Sequence, residues 1–245
     1  MRTIFSTMLV DCHCHCHEFS DEELAKFSEI KLVAVSDDVR SSQRTLELAK
    51  RLGAVPCLGI HPWNVGKARP EDLSEALRLI EKSEAPCIGE VGLDKRFVPE
   101  TYEKQREFFS AFLRLAKEYD LVLNVHAPDA WRDVVEALRK ADVDRALIHW
   151  YTGPLDLLEE IAQYGFYISI NPAVKIQKKH RDVAEAARPD MVVLESDGPY
   201  EYRGLRLEPP MVKETVKVLA EIWRTTPEEA EEKLYANAAR LFRLR

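Results

Sequence analysis

The sequence predicts a single TIM-type (β/α)8 barrel, an α/β fold, and three observations carry that expectation. The chain has 245 residues, close to the roughly 250 of one such barrel. About eight short apolar runs alternate with amphipathic segments along its whole length. Several of those runs end in an imidazole or a carboxylate. Parallel strands of one barrel deliver their C-terminal ends to a common mouth, so ligands at strand ends converge there.

The runs fall at residues 8–11, 31–36, 55–60, 87–91, 121–125, 145–148, 166–170 and 191–194. They are rich in Val, Ile and Leu, as expected for a parallel sheet covered on both faces. Ser20 with Glu23 forms a capping-box pattern and opens the first intervening helix. Across residues 105–119, Phe108, Phe112, Leu115 and Tyr119 recur at spacings of three and four, one apolar stripe for packing on a sheet. Thr226 with Glu229 repeats the capping box, with Pro227 suited to a first helical position. Residues 199–210, which include Tyr200, Tyr202, Arg203 and Arg206, form the longest stretch without periodicity and are expected at a rim or as a lid. No Ser/Gly linker and no repeated unit interrupts the cadence, so residues 1–245 are read as one domain. A doubly wound open sheet would keep the first and last strands apart, and its glycine-rich phosphate loop is missing.

Hydrophobic residues make up 46% of the chain and charged residues 31%, which provides a large core and excludes disorder. No apolar stretch approaches the ~18 residues of a membrane span. Residues 1–10 lack the pattern of a secretion signal. The expectation is a cytoplasmic protein with no membrane partner and no obligate protein partner. Cys12, Cys14 and Cys16 lie too close to one another for a disulfide framework, and reduced thiols suit that compartment. The net charge of −7 argues against broad attraction to nucleic acid. Divalent ions bound by some of the counted acids would weaken that argument.

His13 and His15 sit two apart on the first run, so an extended strand points both the same way. Glu90, His126, His149 and Asp197 each follow a later run. Four imidazoles and two carboxylates suffice for two divalent ions, zinc, manganese, magnesium or similar, rather than an all-oxygen calcium cage. Glu90 is the candidate bridge between them, and Asp197 the group that accepts or relays a proton from water. An isolated His-x-His is more often a packing pair than a ligand pair. Here six of the seven histidines sit at or beside strand ends, and only His180 does not.

Other residues have plainer readings. Cys12, Cys14 and Cys16 are expected to face away from His13 and His15 as small apolar residues. His17 is expected beside the ligands or in solvent, Asp94 as a loop-fixing residue, and Asp37 and Asp38 as loop and helix-start residues. Lys175, after the seventh run, is the candidate phosphate contact, because barrels often bind phosphate there. Trp63 and Tyr200 serve equally as stacking platforms or as rim packing.

The ordered set Asp11-Cys-His13-Cys-His15, Gly59-Ile-His61-Pro62, Gly89-Glu90-Val-Gly92-Leu-Asp94, His126, His149 and Glu195-Ser-Asp197-Gly-Pro199-Tyr200 resembles the TatD family. Asn237-Ala-Ala-Arg240-Leu-Phe242 near the end extends the resemblance over nearly the whole chain. It implies a TIM-barrel metal-dependent hydrolase of the amidohydrolase-like group, some of whose members are deoxyribonucleases. Carried over by position, His13 and His15 would hold one metal and His126 and His149 the other. Glu90 would bridge, Asp197 would be ligand and proton acceptor, and His61 would line the pocket near substrate. The chain departs from the family pattern at Pro128, where an arginine is common. It also departs at Trp150-Tyr151 for Cys-Phe, at Gly198 for Ser, and at Cys16-His17 for Leu-Asp. These changes surround the ligands without removing one. The leading expectation is two-metal hydrolysis of a phosphodiester, at single-stranded DNA ends or in short nucleotides. The alternatives are a two-metal amidohydrolase acting on an amide or lactone, and a catalytically silent metal-binding protein.

Overall fold

The computed structural model of the chain describes residues 9–244. Met8, the start of the first predicted run, and most of the segment read for a secretion signal lie outside them. Eight strands, β1 (Leu9–Cys14), β2 (Ile30–Val35), β3 (Val55–Leu58), β4 (Cys87–Gly92), β5 (Val122–His126), β6 (Ala146–Ile148), β7 (Tyr167–Ile170) and β8 (Val192–Leu194), pair in sequence order. Every adjacent pair is parallel. The seam between β8 and β1 is bridged just past β8. There Asp197 N–H donates to the His13 carbonyl at 3.0 Å and His15 N–H to the Gly198 carbonyl at 2.9 Å. The result is the expected barrel.

The helices are α1 (Asp21–Ala25), α2 (Val39–Leu52), α3 (Pro62–Val65), α4 (Pro70–Ser83), α5 (Tyr102–Tyr119), α6 (Trp131–Lys140), α7 (Leu158–Gln163), α8 (Lys178–Ala186), α9 (Val212–Trp223) and α10 (Pro227–Phe242). Both predicted capping boxes are present, at Ser20/Glu23 and Thr226/Glu229, and each cap residue contributes about 1 kcal/mol. On α5, Phe108, Phe112 and Leu115 are buried, but Tyr119, its last residue, is half exposed. The stripe therefore ends one turn early.

The barrel interior explains how ligands reach the mouth. Val10 and Cys12, Val33 and Val35, Val55 and Cys57, Cys87, Val122, Leu147, Tyr167 and Val193 form one interior cluster, plugged by Ala238, Leu241 and Phe242 of α10. Counting up by twos from this layer stays on the inner face. The count runs from Val35 to Asp37, Cys57 to His61, Val122 through Asn124 to His126, Leu147 to His149, and Val193 through Glu195 to Asp197. On β1 and β4 it misses by one, since Cys12 leads to Cys14 and Cys87 leads to Gly89. The ladder shifts register between Asp11 and Cys14 and between Ile88 and Val91. Such an irregularity re-aims a side chain, and here it turns His13 and Glu90 to the inner face.

Three expectations need correction. Residues 199–210 lie at the rim, with Pro199, Tyr200 and Tyr202 in the cavity lining, but are not wholly irregular: β9 (Glu201–Tyr202) and β10 (Leu205–Arg206) form an antiparallel hairpin. Its turn residues, Arg203 and Gly204, have φ of 51° and 78°, the pattern of a two-residue primed turn whose twist suits the strands. The expectation of reduced thiols holds for Cys12, Cys14 and Cys16 but fails for Cys57 and Cys87, which are disulfide-bonded. The β3–β4 register sets those two opposite each other, which their 30-residue separation gave no means to see. Cys12 belongs to the interior cluster below the histidines, whereas Cys14 and Cys16 pack in the outer core. Among the described residues, no helix is long and apolar enough to cross a membrane.

Candidate metal centre

Above the interior layer the chain brings its predicted ligands into two sets that share Glu90. In the first, His13 Nε2 lies 3.3 Å from His15 Nε2 and 3.2 Å from Glu90 Oε2, and His15 Nε2 lies 3.3 Å from the same oxygen. Asp197 Oδ1 is 3.4 Å from both imidazole nitrogens. In the second, Glu90 Oε1 lies 2.7 Å from His126 Nδ1 and 2.8 Å from His149 Nε2. Those two nitrogens are 3.3 Å apart. Glu90 is thus the one side chain that offers an oxygen to each set.

The tautomers show what these atoms present. His13 Nδ1 faces the Asn124 side-chain carbonyl at 2.8 Å, while the Asn124 amide nitrogen donates to the Cys12 carbonyl. His126 Nε2 faces Asp94 Oδ2 at 2.8 Å. A carbonyl or carboxylate only accepts, so each of these ring nitrogens carries the proton and the opposite nitrogen presents a lone pair to the centre. His15 Nδ1 faces Asp37 Oδ1 at 3.1 Å, and His149 Nδ1 lies 3.6 Å from Glu195 Oε2. His13 and His126 thus have the outer nitrogen hydrogen-bonded to an amide or a carboxylate, the arrangement that orients metal-binding histidines, whereas the outer nitrogens of His15 and His149 lie beside a carboxylate without a formed hydrogen bond. Both Glu90 oxygens are buried without a formed hydrogen bond, Oε2 between His13 and His15 and Oε1 between His126 and His149 with His61 beside it. Acceptors held this close call for cations between them. Tetrahedral ligands at about 2.0–2.1 Å from one ion are about 3.3–3.4 Å apart, which the first set matches. The donor set fits divalent metal.

His61 also approaches Glu90 Oε1, at 3.1 Å, and forms a possible ligand group with Glu90 and His126. Its Nδ1 already accepts the Trp63 backbone N–H at 3.0 Å. A neutral ring then carries its proton on Nε2, which makes that atom a donor to an oxygen rather than a ligand. Burial holds His61 below its ordinary pKa despite the pull of Glu90, so the neutral ring is the resident form.

Electrostatics follow the geometry. Burial alone would raise Glu90, but the surrounding histidines hold it well below the usual carboxylate range. Burial alone would lower His15 and His149, yet Asp37 beside the first and Glu90 beside the second raise them well above the ordinary imidazole value. Burial opposes the shift at Asp94 as well, where His126 draws it down to about 2. Asp11, below the ligands, is pushed up to about 7 by burial.

Four residues that support the site escaped the sequence reading or were read as something else. Asp38 caps α2 as expected, and Asp37, read as a loop residue, also meets His15 and, at 2.9 Å, His17 Nε2. Asp94 does fix its loop, accepting from the Arg96 and Phe97 backbone N–H groups at 2.7 Å. It also accepts the Trp63 indole N–H at 2.7 Å along with His126. Asn124 and Glu195 carry no motif that marks a supporting role. The available signal was period two: each lies on the inner face two residues below a predicted ligand. Gly92 makes the Asp94 contact possible, because at φ 146° an added Cβ would lie 2.0 Å from the His126 carbonyl oxygen. Asp197 adopts a left-handed φ of 57°, a conformation Asp tolerates better than most residues.

The centre opens into a cavity of about 350 Å³ whose lining includes His15, His61, Glu90, His126, His149 and Asp197. Trp63, Phe97, Trp150, Tyr200 and Tyr202 form its aromatic walls. Lys175, the candidate phosphate contact, is not in that lining. It sits at the end of a short 3-10 turn after β7, half exposed, and pairs with Glu214 at 3.2 Å. His180 is buried away from the centre, accepting the Asn171 backbone N–H at 3.0 Å.

A (β/α)8 barrel with histidines and carboxylates gathered at the C-terminal ends of its strands defines a metal-dependent hydrolase. The chain belongs to the TatD related DNase family, whose model matches residues 10–243. It is 31% identical to an uncharacterized metal-dependent hydrolase of Methanocaldococcus jannaschii, over 96% of this chain and 97% of that one. It is 30% identical to a deoxyribonuclease of Homo sapiens, over 96% and 94% of the two chains. The crystal structure of a TatD homologue from Escherichia coli superposes with a TM-score of 0.88 at 24% identity, over 98% of this chain and 99% of that chain, a likeness of fold.

Proposed function

We propose that the protein is a two-metal phosphodiesterase acting on single-stranded DNA ends or short nucleotides. The observation that carries this reading is Glu90, with one carboxylate oxygen at each of two ligand sets on the floor of a single cavity. His13, His15 and Asp197 would hold one ion, and His126 and His149 the other. Ions held there would supply Lewis acidity toward a phosphoryl oxygen and make water acidic enough to be deprotonated near neutral pH.

The chain's own residues would do the rest. Asn124 and Asp94 hold the imidazoles of His13 and His126 in the tautomers and orientations that face inward. Asp197, 6% exposed and facing the cavity, accepts the proton of the attacking water. His61 Nε2–H donates to an oxygen of the bound substrate. The aromatic walls exclude water and offer faces to unstacked bases. A cavity of about 350 Å³ has room for about one nucleotide of a single strand and not for a duplex.

A second reading, hydrolysis of an amide or lactone, has one observation in its favour. Pro128 lines the cavity where a cation would meet phosphate, which leaves Arg96 as the lone Lys or Arg side chain in the lining. Metal-reconstituted protein assayed on single-stranded DNA, a chromogenic phosphodiester and a set of cyclic amides separates the two. Turnover of the phosphodiesters, inhibited by inorganic phosphate, supports the first. Turnover confined to the amides overturns it, and no turnover with metal bound leaves a silent metal-binding protein.

A further inference from the structure

The geometry points to Arg96, Phe97 and Trp63 as a nucleotide subsite that takes a phosphate and base flanking the scissile phosphodiester. The inference rests on the phosphodiesterase reading and adds a residue that selects substrates. Arg96 is half exposed, and its nearest carboxylate is Asp129 with Nε 3.9 Å from Oδ2, beyond hydrogen-bond reach. Among the described residues its guanidinium makes no hydrogen bond. Nearby Lys95 and distant Lys175 are each committed to an acid, and of the Lys and Arg side chains Arg96 alone lies in the cavity lining. Its planar fork matches a phosphate bidentately.

The guanidinium leans over the Phe97 ring, 5.6 Å from the centroid. Phe97 in turn meets Trp63 edge to face at 5.5 Å. Both rings are exposed, at 55% and 41%, and both line the cavity. Large apolar rings left open beside a lone cation match the two halves of a nucleotide, a π-faced base and an anionic phosphate. The subsite is also held in register with the chemistry. One carboxylate, Asp94, accepts from the Trp63 indole, from the Arg96 and Phe97 backbone N–H groups, and from the centre's His126. A phosphate on Arg96 is thereby positioned against the metal ligands through one rigid hub.

The test compares wild type with Arg96→Ala and Arg96→Lys on a thymidine tetranucleotide and on a chromogenic diaryl phosphodiester, which has no flanking phosphate. Arg96 is half exposed, so the variants should fold, and their melting temperatures check this. Arg96→Ala should lower kcat/KM for the tetranucleotide relative to that for the diaryl ester about tenfold, mainly through KM. It should also flatten the slope of log affinity against log salt by about 0.7, one phosphate of a single strand. Arg96→Lys should fall between. An unchanged substrate ratio, or equal losses on both substrates, overturns the inference while leaving the phosphodiesterase reading intact. Binding of a phosphorothioate tetranucleotide is measured in parallel. If wild type turns over neither substrate, the phosphodiesterase reading fails, and equal affinity of wild type and Arg96→Ala for that probe then overturns the subsite as well.

Discussion

Replacing Asp94 with Asn should weaken metal binding at one ligand set and spare the other. The Asp94 side chain accepts from four donors: His126 Nε2 at 2.8 Å, the Trp63 indole, and the Arg96 and Phe97 backbone N–H groups. An asparagine can keep one oxygen on the two backbone donors, but its amide nitrogen then faces His126 and the indole, both donors themselves. Trp63 is 41% exposed and can turn to water. His126 is 6% exposed and cannot, so its imidazole must lose a partner or switch tautomer, which takes its lone pair away from Glu90. Losing such a partner typically costs 10–100-fold in metal affinity, and leaving the donor unsatisfied costs about 1–3 kcal/mol of stability. Titration of the metal-free variant with zinc against a chromophoric chelator reads the first, and urea unfolding the second. The expected result is two distinguishable affinities, the weaker shifted by that factor and the other unchanged, with the far-ultraviolet spectrum retained. Wild-type affinity at both steps would refute the claim that Asp94 orients His126.

Four further outcomes are expected. Glu90→Gln removes the oxygen shared by the two sets, so bound metal should fall below two ions per chain by elemental analysis. Asp197→Asn should reduce turnover by about 10²–10⁴-fold, the usual worth of a general base, with circular dichroism unchanged. Lys175→Ala, outside the cavity, should leave KM for a phosphodiester within about twofold. The last concerns pH. Burial lowers the His180 pKa from 6.5 to about 4, so the unfolded chain binds a proton there before the folded one does. His180 thus contributes stability in full above pH 6.5, and acid removes it between pH 6.5 and about 4. Over the span from pH 7 to pH 5 the loss is about 2 kcal/mol. Urea unfolding of His180→Gln should show a loss over that span smaller by this amount, and parallel curves would count against a neutral buried ring.

The order of strands and most of the ligands were legible because both depend on local periodicity. An apolar run of four to six residues announces a buried parallel strand, and a residue two or four positions further on the same face must emerge at the mouth. His126, His149, Asp197 and His61 all follow that rule, as does the neglected Asn124. Residues 199–210 looked irregular because a two-strand hairpin is too short to show alternation. Lys175 was placed near the mouth by its position after the seventh strand, and the turn of chain carrying it leads away to Glu214.

What the sequence determined by itself is the barrel, its capped helices and the candidate ligand side chains, since these follow from spacing along one segment at a time. What only the tertiary structure decided is how those side chains are aimed. The register shifts in β1 and β4 turn His13 and Glu90 inward against the simple alternation. The β3–β4 register joins Cys57 to Cys87, and Asn124 and Asp94 select the lone pairs of His13 and His126 from neighbouring segments. The physical reason is that direction and tautomer are properties of contacts between strands, and those contacts exist only once the sheet has closed.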